Sequence, residues 1–255
     1  MADENKELVT KAPTAIDRPH TRGHENHVAQ EDMLIPRVML IQFTPPKTVE
    51  IDPAVITPGK IINSVTVQEL PKDAKGYPFI PIKRSVNWVR FNPQKQEDPN
   101  FDPSYEMGAM IWSSNDPKDP RVLKEGAWGP KSEPPLATKF INYLAWFPGL
   151  DFPAVLSFAR TSFKAGKALT TMTEMLHRAD DLFRWKYRLL AKQEQNDQKQ
   201  KYYVLAVEEI GRTTDEEFAK AEEIYGIFAE KAIDAYEDDA AATAEPAKEP
   251  QPWDK

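Results

Sequence analysis

Basic and aromatic side chains are the residues of this sequence whose spacing points most clearly to a chemistry. Between Arg160 and Lys201 there are ten Lys/Arg against five Asp/Glu. In RWKYRLL (184–190) the period of two of a strand sends Arg184, Lys186 and Arg188 to one face and Trp185, Tyr187 and Leu189 to the other. The aromatic face suits a core. The opposite face is then a ladder of like charges, costly unless interspersed acids or a polyanion compensate it. It reads either as the solvated outside of a sheet or, preferably, as a track for nucleic-acid phosphates. ARTSFKAGK (159–167) joins a strand to a helix. Arg160 precedes that helix, Thr161 or Ser162 can cap it, and Lys164 and Lys167 sit at its positive end, where an anion would be welcome. KRSVNWVRF (83–91) adds Lys83, Arg84, Trp88, Arg90 and Phe91. Single-stranded nucleic acid uses aromatics beside cations, since bases stack while phosphates pair. Strand aromatics are also common core residues, and the phase of this segment stays open.

Other chemistries find little support. AGKALT (165–170) resembles the tail of a Walker A loop, but Thr161 stands where the first glycine belongs and Ala168 replaces the Ser/Thr. No GxGxxG occurs. Cysteine is absent, which excludes disulfides, thiolate catalysis and the common zinc-finger sites. Of the four histidines, His20, His24 and His27 lie in HTRGHENH, where they could collect a transition metal if that arm were helical; a flexible polar arm is the simpler reading. His177 stands alone at a helix C-terminus. Glu208-Glu209 and Asp180-Asp181 lie at strand ends, where solvation explains them. The expectation is a protein with no catalytic residues, cofactor or metal.

The elements that must carry the cations are mostly strands. KIINSVTVQEL (60–70) alternates Ile61, Val65 and Val67 with polar residues, and YPFIPIKRSVNWVRF (77–91) is rich in β-branched and aromatic residues. TKFINYLAWF (138–147) and AVLSFARTSF (154–163) flank a Pro-Gly joint and predict a hairpin. LFRWKYRLLAK (182–192) and KYYVLAVEEI (201–210) predict a second, and MGAMIWSS (107–114) is a weaker strand. The stretches 92–106 and 115–135 read as long loops. In KAGKALTTMTEMLHR (164–178), Ala165, Ala168, Leu169, Met172, Met175 and Leu176 form one helical stripe. A last helix begins at Thr214 with Glu217 as its capping box, and Phe218, Ala221, Tyr225, Phe228 and Ala232 carry it to about Tyr236. Strands, a helix, more strands and a terminal helix predict a mainly β or α+β domain, or a small barrel, over 31–236.

Charge is unevenly shared along the 255 residues. Of the net −7, residues 212–255 hold −8 and residues 31–211 hold +2. Residues 1–30 read as a flexible arm. Residues 237–255, acidic and without large apolar residues except Trp253, read as a disordered tail. Such a tail, with Asp238, Asp239 and Trp253, can compete for a basic groove and offer an aromatic tip to partner proteins. No apolar run is long enough for a membrane span or a signal peptide, so neither a membrane nor export is expected, and a cytoplasmic setting is.

The layout resembles the OB-fold single-stranded DNA-binding proteins of bacteriophages and bacteria, closest to the phage replication-module type. The resemblance rests on IPRVMLIQ (35–42), PGKIINSV (58–65), PAVLSFARTSFKAGKALT (153–170), the hairpin around RWKYRLL and KYYVLAV, and the acidic end. It implies a five-stranded barrel elaborated by extra hairpins, one inserted helix and a C-terminal helix. It further implies sequence-independent binding of single-stranded DNA and a tail that recruits replication or recombination proteins in the host cytoplasm. Such tails usually finish on a bare aromatic, whereas here Asp254 and Lys255 follow Trp253. Two other classes fit the same pattern: a phage single-strand annealing protein, a homo-oligomer of rings or filaments, and an interaction protein with no DNA affinity.

Overall fold

A fifteen-residue strand, paired along both its edges, organises the chain. The computed structural model describes residues 35–43, 56–130, 133–229 and 233. The chain divides between Leu34 and Ile35 into two units, the first of which lies wholly outside the described residues. The arm with His20, His24 and His27 and the tail with Asp238, Asp239 and Trp253 lie outside them too. The elements run β1 (Val38–Leu40), β2 (Ile61–Asn63), β3 (Tyr77–Phe91), β4 (Met110–Ser114), α1 (Pro120–Glu125), β5 (Ala137–Trp146), β6 (Ala154–Phe158), α2 (Phe163–Thr171), β7 (Trp185–Gln195), β8 (Lys201–Arg212) and α3 (Asp215–Phe228).

The long strand is β3. Along one edge it pairs with β5 from Ile80 to Arg90. Along the other, Tyr77–Phe79 pair with β7 and Trp88–Phe91 with β4. The register slips between Pro81 and Lys83, making Ile82 a bulged residue. A proline cannot donate to a ladder, and a bulge bends a strand, so the same chain can serve two differently directed groups of strands. The sheet order is β6-β5-β3-β7-β8, with β4 also on β3, and every ladder is antiparallel. It follows that β6 and β8, at the two ends, run parallel to each other.

The fold is mainly β with a few helices, and the sheet is open. The closed five-stranded barrel expected from the sequence does not form among the described residues, because β6 and β8 exchange no ladder bonds. The segment around β1 spans the gap instead. Arg37 forms a parallel bridge to Val155 of β6, and the Gln42 amide bonds both backbone groups of Tyr203 on β8: Nε2 donates to its carbonyl and Oε1 accepts from its N–H, each at 2.9 Å. The main core lies between the sheet and α2, where Phe79, Tyr143, Phe147, Phe158, Tyr187 and Leu189 are fully buried. On the other face Ile80, Ile82 and Leu144 pack against Ala221 and Ile224 of α3.

Local structure departs from the sequence pattern in identifiable places. The strand expected over 60–70 stops at Asn63, whose Oδ1 accepts from the N–H groups of Val65 and Thr66 and turns the chain back. Val65 is left exposed. The helix over 164–178 keeps its α form to Thr171 and then widens into a π turn, Met172–Leu176. That extra residue rotates the stripe: Thr173 turns inward, while Met175 and Leu176 face solvent. Ser162 sits at the N-cap of α2 but its hydroxyl accepts from Leu205 N–H instead of capping. The capping box at Thr214 and Glu217 forms as expected, although α3 ends at Phe228.

The first of the two stretches read as loops is pinned by side-chain hydrogen bonds, and the second contains α1, which begins at Asp119-Pro120. Asn92, at the end of β3, pins the first. Its Nδ2 donates to the carbonyls of Asp102, Tyr105 and Glu106 at 2.9–3.0 Å, and its Oδ1 accepts from Asp102 N–H. Asn92→Asp keeps the shape but points a carboxylate at three carbonyl oxygens. We expect about 2–3 kcal/mol of lost stability by chemical denaturation; an unchanged midpoint would mean that the pin contributes nothing.

Candidate nucleic-acid interface

Strand β7 has the phase that its sequence predicts, with Tyr187 and Leu189 buried and Lys186 and Arg188 on the opposite face, while Arg184 lies in the 3₁₀ turn just before the strand. The ladder of cations, however, is compensated within the protein. Arg188 donates to Asp73 at 2.7 Å, and Lys186 donates to both Glu217 oxygens at 2.7 and 3.0 Å. Arg184 lies 3.9 Å from Asp215 and stacks 3.7 Å above the Phe218 ring. The hydrogen bond from Arg188, with help from the N–H groups of Lys75 and Gly76, lowers the Asp73 carboxyl to about 2. Burial alone would raise Glu217, but Lys186 and the Thr214 N–H outweigh it and hold the carboxyl below its usual range. Glu217 thus closes the capping box of α3 and neutralises Lys186 with the same side chain. Interspersed acids, one per cation, are what relieve the like-charge cost that a phosphate track was expected to relieve.

The segment 83–91 divides its cations between different tasks. Lys83 reaches across to the carbonyl of Ala229, just beyond α3. Arg90 is buried and donates to the carbonyls of Leu136 and Asn100, at 3.3 and 3.0 Å, tying down the long excursion between β3 and β5. Only Arg84 and Trp88, half-buried, remain on the face toward α2. Across the ladder they sit opposite Tyr143 and Lys139 of β5, with Val86 and Ile141 between.

Lys139 is the residue that sequence reasoning missed. Its ammonium lies 4.9 Å from the centre of the Trp88 ring. Burial, and then the fields of Arg84 and Lys167, hold its pKa below the usual lysine range. Lys167 arrives from α2. The Tyr143 and Thr170 hydroxyls meet at 3.0 Å, fastening the helix over β5, and Lys167 lies one turn before Thr170. Close approach of the helix depends on Gly166, where a Cβ would fall 2.6 Å from that of Phe158. Lys167 also lies 5.3 Å over the Phe163 ring. Among the described residues, Arg84, Lys139 and Lys167 have no carboxylate partner, and Arg84 Nε is buried with no acceptor.

The remaining candidates flank this face. Lys164 is exposed on the first turn of α2. Arg160 is exposed in the 3₁₀ turn before it, at φ +45°, a left-handed conformation uncommon for a residue with a side chain. His177, at the end of the π turn, bonds Glu209 at 2.8 Å and stacks on Trp185 with ring centroids 3.5 Å apart. Asp180 takes the Trp185 indole N–H and Arg212, both at 2.9 Å, so these acids serve structural pairs. A basic, partly aromatic face built from β3, β5 and α2 can hold anionic groups; the ladder on β7 is already occupied.

The family of the chain agrees with a phage origin. A family model described as Pam3 phage gp34-like protein matches residues 4–234, and the chain belongs to that family. No curated protein and no solved structure matches it. Among the described residues no helix is long and apolar enough to cross a membrane.

Neutralisation of the ladder can be checked at Asp73. Its carboxyl is depressed in the folded chain, so its ion pair adds stability above the ordinary value of 3.8 and loses it as pH falls toward 2. By NMR, Asp73 should titrate near 2 in the wild type and move up toward the ordinary range in Arg188→Gln. The same midpoint in both would break the assignment.

Proposed function

We propose that this protein binds single-stranded DNA without regard to sequence, in phage DNA replication or recombination. The face formed by Arg84, Lys139 and Lys167 beside Trp88 carries the contact. One observation bears most of this reading: those three cations lack internal acid partners while the neighbouring ladder has one for each. Cations beside an aromatic surface are what a single strand uses, and Trp88 supplies that surface next to Lys139.

Strand order supports an OB-like architecture. Taking β3 as the first strand, the order runs β3-β5-β6 on one side and β3-β7-β8 on the other, with α2 between β6 and β7. A long, bent first strand that pairs to both sides, and parallel end strands meeting at the gap, belong to a five-stranded Greek-key barrel left partly open. In this reading β1 and Gln42 take the place of direct pairing across the gap. The acidic tail, with Asp238, Asp239 and Trp253, competes for the basic face and recruits replication or recombination proteins. The protein works without catalysis or cofactor in the host cytoplasm.

The test is a salt series with oligo-dT. Three phosphate contacts predict a log–log slope of about −2 for a single strand. Lys139→Ala with Lys167→Ala should weaken binding and flatten the slope to about −0.7, whereas Arg188→Gln should leave the slope unchanged. No binding at low salt, or a slope set by Arg188, would refute the proposal.

A further inference from the structure

We infer that the stacked rings of Phe43 and Tyr203 form a platform for nucleobases, where the segment after β1 meets β8. The inference rests on the single-strand reading above and adds a place for bases, apart from the cations that meet phosphates.

The pair joins two segments distant in sequence. Its ring centres lie 5.4 Å apart, with 29° between the planes. Tyr203 is held in place. Gln42 bonds both of its backbone groups, and Gly59, at φ +88°, packs so closely against its ring that a Cβ there would fall 2.7 Å from a ring carbon. Phe43, by contrast, is open, with 50% of its surface exposed. An exposed ring stacked on one that is already fixed loses little freedom when a third ring is added. Every base has a π face to add, whatever the sequence.

The surroundings favour a nucleic acid over an apolar peptide. The period of two along β8 puts Lys201 on the same face as Tyr203, and the ladder sets Gln193 opposite Tyr203 and Gln195 opposite Lys201. Those positions carry a ring, a cation and two carboxamides, with no acid among them. Glu194 lies on the other face, where it accepts from the Tyr202 hydroxyl at 3.1 Å. Lys201 is exposed and has no carboxylate partner among the described residues. It stands about 6.6 Å along the strand from Tyr203, near enough to meet the phosphate of a base lying on Phe43.

The full chain is titrated at fixed low salt with oligo-dT and with a strand of the same length and charge whose bases are replaced by abasic sites. Phe43→Leu keeps an apolar side chain but removes the ring. It should weaken binding of oligo-dT about tenfold and leave binding of the abasic strand unchanged, and Phe43→Trp should restore the loss. The wild-type chain is also photocrosslinked to a strand carrying 5-iodouracil, and the linked peptides mapped by mass spectrometry should contain Phe43 or Tyr203. An unchanged affinity of Phe43→Leu for oligo-dT, an equal loss on both strands, or crosslinks that spare both rings would overturn the platform and leave the single-strand reading standing. Binding of neither strand by the wild type would overturn both.

Discussion

Pairing of β3 along both edges is the constraint from which the rest of the structure follows. The strand pairs with neighbours to both sides in one six-stranded sheet, and its register slips between Pro81 and Lys83, a bulge of the kind that bends a strand. Beyond that bend, Tyr77–Phe79 orient β7 and β8, while Ile80–Arg90 orient β5 and β6. The face toward α2 is filled by aromatic residues and covered by that helix, with Gly166 allowing its close approach. A shift of one residue in the β3–β5 register would exchange the two faces of the strand. Arg84 and Trp88 would then point at α3, and Lys83 would lose Ala229.

Electrostatics divides the surface in a way that total charge hides. The chain is acidic as a whole, yet its cations are of two kinds. Arg188, Lys186 and Arg184 are matched one to one by Asp73, Glu217 and Asp215, each from a segment distant in sequence. Such pairs, open to solvent on at least one side, cancel the field that the cations would project. Arg84, Lys139 and Lys167, on the α2 side, have no acid partner among the described residues, and burial, then the fields of Arg84 and Lys167, lowers the pKa of Lys139.

Much of this architecture was legible from local pattern. Alternation gave β3, both hairpins and the phase of β7, and the capping box located the start of α3. What escaped was whatever depended on a partner distant in sequence. The acids that silence the ladder lie at positions 73, 215 and 217, and no local rule connects them to β7. Lys139 sits in a strand that reads as plain core, and its meeting with Trp88 requires the β3–β5 register. Asn63 ended a strand by bonding its own turn, and a single π turn reversed the outer stripe of α2; each is a one-residue decision that a period cannot resolve. The barrel expectation met the same difficulty, since closure depends on whether two end strands reach each other.

The central claim is that ligand phosphate goes to the uncancelled cluster and not to the neutralised ladder. Lysine-specific chemical footprinting of the full chain, with and without oligo-dT at low salt, reads this directly by mass spectrometry. The account predicts that reductive methylation of Lys139 and Lys167 falls on adding the strand while that of Lys186 stays the same. Protection of Lys186 with Lys139 and Lys167 still labelled would contradict it.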